Sequence, residues 1–187
     1  MPSNNKEISP VNLKLKRELH GSILDIGGGG EGIISRLYGA DVISIDIRRD
    51  ELDEAPANCS KIVMDAAKLA FENESLDNVA FFYSLMFMKK ETQKQAIAEA
   101  CRVLIPGGKL VIWDGTIESA FPQPFLIELL IDIEGLTITP TYGILKTDGA
   151  QDSGMFVSLC ENCGLTLNDI ENDIASFRLL FTKEPDK

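Results

Sequence analysis

Ser22-Ile23-Leu24-Asp25-Ile26-Gly27-Gly28-Gly29-Gly30-Glu31-Gly32 decides how the rest of this chain is read. A short apolar run ends on a carboxylate, five glycines fall between positions 27 and 32, and an apolar, helix-spaced segment starts at Ile33. That order is strand, tight turn, helix. Glycines in the turn let the backbone approach a ligand, because no Cβ intervenes. The helix that follows offers free N–H groups and the positive end of its dipole. The loop is therefore read as a holder for a small, nucleotide-like ligand.

Outward from that loop, apolar runs alternate with helix-spaced segments. Strands are expected at Ile23 to Ile26, Val42 to Ile47, Lys61 to Met64, Val79 to Tyr83 and Leu110 to Trp113. Helices are expected from about Gly30 to Tyr38, near Asp50 to Ala55, and over Thr92 to Leu104, where Ala96, Ile97, Ala100, Cys101 and Leu104 form an apolar stripe. Pro106-Gly107-Gly108 reads as a turn. Such alternation predicts an α/β fold with a doubly wound, mostly parallel sheet. Ligands then bind beyond the carboxyl ends of the strands.

Residues 1–20 read as an arm with a short leading helix, whose solvated face holds Lys14-Leu15-Lys16-Arg17. Phe125 to Lys146 reads as two strands joined near Glu134-Gly135, Met155 to Cys163 as a helix, and Leu165 to Ile170 and Phe177 to Thr182 as two last strands.

Composition narrows the partners. The 187 residues suit a single domain, 1–187, and carry a net charge of −11. A surface this acidic repels nucleic-acid phosphates and anionic membranes. The polar first ten residues lack a signal-peptide pattern. The longest apolar run, Phe125 to Ile133, is too short for a bilayer and is broken by Glu128 and Asp132. Four cysteines do not make a secreted disulfide pattern. A cytoplasmic protein, monomeric or homodimeric, is expected.

Two cofactor classes fit the loop. Gly27, Gly29 and Gly32 satisfy the G-x-G-x-x-G spacing of dinucleotide sites, and Asp46 stands 19 positions after Gly27, where a ribose-binding acid belongs. That leaves an NAD(P)-binding oxidoreductase open.

Four blocks taken together resemble the class I S-adenosylmethionine-dependent methyltransferases, of the methyltransferase type 11 kind. They are Leu24 to Gly32, Val42 to Ile47 with Asp46 at its end, Val63-Met64-Asp65-Ala66, and Arg102-Val103-Leu104-Ile105-Pro106-Gly107-Gly108-Lys109-Leu110. The resemblance covers roughly residues 20–183. It implies a Rossmann-like, seven-stranded sheet with an antiparallel last strand; residues 117–150 are read as a small β insertion after strand five, on the acceptor side. It implies S-adenosylmethionine as cofactor, with Asp46 on the ribose, Asp65 on the adenine amino group, and Ile47 and Ala66 about the ring. Gly27, Gly28, Gly29 and Gly30 lie along the methionine portion. Asp25 receives the ammonium or braces the loop. Glu31 departs from the family's pattern, standing where the third glycine belongs; counted one residue later, Gly28, Gly30 and Gly32 fit instead.

Some of Phe81-Phe82-Tyr83-Ser84, Met86, Phe87 and Met88 are expected to line the methyl site with cation–π contact to the sulfonium, and Phe81 is counted among the cofactor-binding residues. Tyr83 and Asp114 are the candidate bases, and the sole histidine, His20, precedes strand one. The Asn/Asp-Pro-Pro-aromatic signature of nucleic-acid amino-methylation is absent after strand four. Residues 117–150, with Phe121, Phe125 and Tyr142, form the expected cover over a small-molecule acceptor. Tyr142 and Lys146 have the Tyr-x-x-x-Lys spacing of short-chain dehydrogenases. That pair needs a helix, and Pro140 and Gly143 argue for a strand. Cys160-Glu161-Asn162-Cys163 is not expected to hold metal, since Cys59 and Cys101 belong to distant elements. The alternatives to a small-molecule methyltransferase are an oxidoreductase, or a non-catalytic methyltransferase-like module that binds a partner through 117–150.

Overall fold

The computed structural model describes residues 10–118 and 124–185; Phe121 and the first nine residues lie outside them. Strands β1 (Val11–Leu15), β2 (Ile23–Ile26), β3 (Val42–Asp46), β4 (Ser60–Val63), β5 (Leu76–Phe82), β6 (Leu104–Gly115), β7 (Phe125–Ile133), β8 (Leu136–Ile138), β9 (Thr141–Ile144), β10 (Leu165–Asn172) and β11 (Ser176–Lys183) alternate with helices α1 (Ile33–Tyr38), α2 (Arg49–Glu54), α3 (Lys90–Val103) and α4 (Ser153–Asn162).

Seven strands form the main sheet in the order β10-β11-β6-β5-β2-β3-β4. β2 pairs in parallel with β3 and β5, β3 with β4, and β5 with β6. β11 runs antiparallel to both β6 and β10, as the family resemblance implied. β2 is buried along its whole length, which explains why it reads as a continuous apolar run.

Strand alternation divides the core in two. Leu24, Ile26, Val79, Phe81, Leu110, Ile112, Phe177, Leu179 and Phe181 face α3 and α4. Ile23, Ala80, Phe82, Val111 and Trp113 face the other way, toward α1 and a second, smaller sheet.

That second sheet holds two differences from the sequence reading. Residues 11–15 are not helical: β1 pairs in parallel with β7, Val11 opposite Leu129 and Leu15 opposite Ile133. Its partner lies more than a hundred positions away, so no local pattern announces it. Phe125 to Ile144 makes three strands rather than two, with β8 and β9 both antiparallel to β7. The turn itself is where it was expected: Glu134 and Gly135 have φ of 50° and 93°, the two left-handed residues of a tight hairpin. Pro106 to Gly108 sits in an irregularity of the β5–β6 ladder, which passes from Leu76↔Leu104 to Asn78↔Lys109.

Candidate functional site

The glycine loop leaves β2 and folds across the tip of β3. Gly27 and Gly28 both donate their N–H to the Ile45 carbonyl, at 2.8 and 3.1 Å, and Gly30 donates to the Glu51 carbonyl at 2.8 Å. Gly28 lies on the Asp25 carboxylate so closely that a Cβ there would stand 2.2 Å from Oδ2, and a Cβ on Gly29 would stand 2.5 Å from the Glu51 Cβ. Small residues are thus obligatory where the loop packs on its own acids.

Beyond the loop opens a cleft of about 560 Å³, within the range of small-ligand sites. Along one side stand Asp46, Ile47, Met64, Asp65 and Ala66, from the ends of β3 and β4. Asp46 Oδ1 accepts from the Arg48 N–H at 2.9 Å, and Asp65 Oδ1 from the Ala67 N–H at 2.9 Å. These bonds aim each carboxylate while leaving a second oxygen on each for a ligand. Ile47 is 69% exposed, an apolar surface presented to the cleft. On the opposite side stand Phe82, Tyr83, Ser84, Phe87, Met88 and Tyr142.

Asp25 also lines the cleft and is 1% exposed. Its Oδ2 accepts from the Ser44 hydroxyl at 3.5 Å, while the buried Oδ1 has no partner among the described residues. Burial, with a smaller push from the charge of Asp46, raises its carboxyl to about 7 against the weaker pull of Ser44. A buried acceptor left open is costly, and a cationic or N–H group of a ligand would satisfy it.

The chain is similar to the class I methyltransferases. The methyltransferase domain family matches residues 24–112. The chain is 32% identical over 155 residues to a ubiquinone/menaquinone biosynthesis C-methyltransferase of Saccharophagus degradans, covering 75% of this chain and 58% of that one. It is 30% identical over 113 residues to a Caenorhabditis elegans sterol 4-C-methyltransferase, covering 54% of this chain and 33% of that one. The chain thus spans little more than half the length of the first of these relatives. In fold it is similar to a SAM-dependent methyltransferase from Methanosarcina mazei, with a TM-score of 0.65 at 20% identity over 93% of this chain and all of the other.

The cofactor of this family, S-adenosylmethionine, fits the residues present. The glycine cradle that a Cβ would fill, the open oxygen of Asp25 and the carboxylates at two successive strand ends match its ammonium, sugar and base.

Two sequence expectations are corrected. Phe81 does not reach the cleft. It is fully buried against the α3 and α4 side, and strand parity puts its neighbour Phe82 on the cleft instead. Asp114 does not line the cleft either. It is fully buried behind the 85–88 turn, where Oδ1 accepts from Gln151 Nε2 (2.7 Å) and the Gly115 N–H (2.8 Å), and Oδ2 from the Met86 N–H (3.2 Å). Burial raises its carboxyl to about 7 despite those bonds.

Tyr83 does line the cleft, but burial drives its phenol far above the usual range, so it keeps its proton. His20 is exposed and outside the cleft lining. Residues 141–144 are a strand, as expected. Tyr142 bonds Glu31, while the Lys146 ammonium donates to the Met88 carbonyl at 2.6 Å and pairs with Asp148 at 3.4 Å.

Cys160 and Cys163 lie away from the cleft. The Cys101 thiol meets the Cys163 carbonyl, so Cys101 is a spatial neighbour after all, brought there because α3 and α4 pack side by side. Burial raises all three thiols, which disfavours the thiolates that metal ligation or nucleophilic attack needs.

Ser84, expected near the methyl group, does line the cleft, whereas Arg48 and Glu51 escaped the sequence reading. Ser84 Oγ donates to the Ile26 carbonyl at 2.6 Å, tying the end of β5 to the loop. Glu51 packs beneath Gly29. Only the spacing of strand ends signals such residues, and it does not say which side chains point inward.

Proposed function

We propose that this chain methylates a small molecule, using S-adenosylmethionine, by in-line transfer. The observation that carries the reading is the unpartnered Oδ1 of buried Asp25, a residue that lines the cleft together with the polar strand ends and the aromatic rings. In this reading Asp46 holds the sugar hydroxyls, Asp65 the adenine amino group, and Ile47 and Ala66 flank the base. Asp25 receives the ammonium beside Gly27 to Gly30. When bound, the cofactor supplies an electrophilic methyl group.

The protein's part is orientation and exclusion of water. Tyr83, Phe87 and Tyr142 close the far end with apolar surface. Neither Tyr83 nor Asp114 serves as a base: the first holds its proton, and the second is committed to three donors away from the cleft. Orientation is the larger effect, worth roughly 7–11 kcal/mol where reacting groups are held in line.

The lining favours an uncharged or cationic acceptor. Among the described residues, Asp25, Glu31, Asp46, Glu51, Glu54 and Asp65 line the cleft with a single cation, Arg48, so an anionic acceptor such as a nucleic-acid strand is repelled.

Calorimetry with S-adenosylmethionine and with NAD tests the cofactor. Transfer of a labelled methyl group to a panel of amines, phenols and thiols tests the acceptor. Donor binding and turnover are expected. NAD binding without donor binding overturns the reading, and donor binding without turnover across the panel favours a partner-binding module.

A further inference from the structure

Ser84 to Met88 forms the part of the cleft wall that is least able to hold its own shape. β5 ends at Phe82, and Tyr83 then adopts φ 48°, a left-handed conformation that is strained for a bulky residue. The short 3₁₀ turn Leu85–Phe87 follows, with two internal bonds, Phe87 N to Ser84 O at 3.2 Å and Met88 N to Leu85 O at 3.0 Å. Such turns do not hold their shape alone. Yet Leu85 and Met86 are fully buried, while Phe87 and Met88 line the cleft.

We infer that Asp114, Gln151 and Gln93 are positioning residues, a buried relay that sets the Ser84–Met88 turn and thereby the aromatic wall facing the acceptor. This rests on the methyltransferase reading only for the word acceptor. The relay itself is geometric. Asp114 Oδ2 accepts from the Met86 N–H at 3.2 Å. Asp114 Oδ1 accepts from Gln151 Nε2 at 2.7 Å, and the same nitrogen donates to the Gly115 carbonyl at 2.9 Å. Gln151 Oε1 accepts from Gln93 Nε2 at 2.9 Å, which also donates to the Leu85 carbonyl at 2.8 Å. The turn is thus gripped at Leu85 O and Met86 N by one continuous chain of side chains, each 0–1% exposed.

The chemistry of the relay selects these residues. The groups that bond the Asp114 oxygens are all donors, so an acceptor is required at both positions. An asparagine would turn an N–H₂ toward either the Met86 N–H or the Gln151 amide. A buried carboxylate with no cation on its oxygens is expensive, and ordinary packing does not call for one. The relay joins the end of β6, the first turns of α3 and the segment before α4. The same stretch that follows β9 also supplies Lys146, whose ammonium donates to the Met86 and Met88 carbonyls. Tyr142, on β9, stacks on Tyr83 with centroids 5.6 Å apart and meets Phe87 edge-on at 6.5 Å. The relay therefore fixes the turn from behind while Tyr142 meets its rings from the cleft side.

The test uses the full chain with ¹³C-methyl methionine, in Gln93→Leu and Gln151→Leu variants, each a near-isosteric loss of the relay bonds. The Met86 and Met88 methyl signals are expected to shift or broaden, while Met64, on the β4 side, and Met155, in α4, keep their positions. Affinity for S-adenosylhomocysteine, measured by calorimetry, is expected to stay within about threefold of the parent. Unmoved Met86 and Met88 signals overturn the relay; so does movement of all four, which signifies a general loss of packing. A loss of S-adenosylhomocysteine affinity of tenfold or more in variants whose Met64 and Met155 signals are unmoved overturns the assignment to the acceptor wall. A parent chain that binds no S-adenosylhomocysteine sinks the methyltransferase reading instead, and the methionine spectrum still decides the relay.

Discussion

The Tyr142 hydroxyl donates to Glu31 Oε2 at 3.1 Å across 111 positions of sequence. Tyr142 belongs to the second sheet and Glu31 to the glycine loop, so this one bond ties the cover of the cleft to its cradle. Glu31, which breaks the family's glycine pattern, has a structural partner there. Tyr142→Phe is expected to keep the stack on Tyr83 and lose the bond, lowering stability by about 0.5–1.5 kcal/mol. Tyr142→Ala loses the stack as well, worth roughly 0.5–1.5 kcal/mol beyond area burial. Denaturant midpoints at an unchanged slope measure both; equal losses in the two variants would show that the hydroxyl, not the ring, holds the cover.

Asp46 is oriented by its own turn, through the bond from the Arg48 N–H at 2.9 Å, with Oδ2 turned to the cleft side near Gly29. Asp46→Ala is expected to weaken S-adenosylhomocysteine binding by about 1.5–3 kcal/mol, the range for a hydrogen bond to a charged group. Asp46→Asn keeps an acceptor for the Arg48 N–H and separates a loss of local order from a loss of ligand contact. Calorimetry reads both variants, and an unchanged affinity in the alanine variant removes Asp46 from the site.

The parts of this molecule legible in sequence are those whose signal is local. The run into Asp25, the glycines, and Asp46 and Asp65 at the ends of successive apolar runs define one end of the cleft, because in a parallel sheet strand ends converge on one edge. The Glu134-Gly135 turn is equally local. What escaped depends on parity or on distant pairing. Phe81 and Phe82 are adjacent and chemically alike, and only the register with β6, Phe81 opposite Ile112 and Phe82 opposite Trp113, decides which faces the cleft. Asp114 shares a face with Ile112 for the same reason, which places it behind the turn. β1 depends on β7, and the Gln93–Gln151–Asp114 relay joins three elements whose sequences carry no common motif.

Asp25 and Asp114 make stability depend on pH in a defined direction. Burial raises both carboxyls from 3.8 to about 7. Between those values the native state binds more protons than the unfolded one, so stability falls as pH rises. The contribution is fully present below about pH 4 and lost by the time the pH has passed about 7, at roughly 1 kcal/mol per pH unit for each group. Asp25→Asn is expected to flatten this slope in a comparison of unfolding free energies at pH 5, 6, 7 and 8. Ligand binding runs the other way. A cation received at Oδ1 favours the carboxylate, so S-adenosylhomocysteine affinity is expected to rise with pH up to about 7, with proton release visible as a buffer-dependent binding enthalpy. A flat profile would remove Asp25 from the ammonium's path.

Gly28 separates a glycine needed for space from one that is merely tolerated. Its φ is not among the left-handed values of the loop, so backbone strain does not demand glycine here. Space does: an added Cβ would meet Asp25 Oδ2 at 2.2 Å and Ser44 Oγ at 2.8 Å. Both neighbours are buried, so the contact is relieved only by displacing them. Gly28→Ala is expected to displace the Asp25 carboxylate and reduce S-adenosylhomocysteine affinity at least tenfold, with a stability loss of about 1–3 kcal/mol typical of overpacking. Gly154, near the start of α4, would place a Cβ no closer than 3.4 Å to any atom outside its own helix and chain neighbours. Gly154→Ala is therefore expected to raise stability by up to about 1 kcal/mol with ligand affinity unchanged. Thermal unfolding with and without S-adenosylhomocysteine distinguishes the two. A Gly28→Ala protein that retains its full ligand-induced stabilisation would mean that the loop moves as a unit, and that contact with Asp25 is not what fixes its height above the sheet.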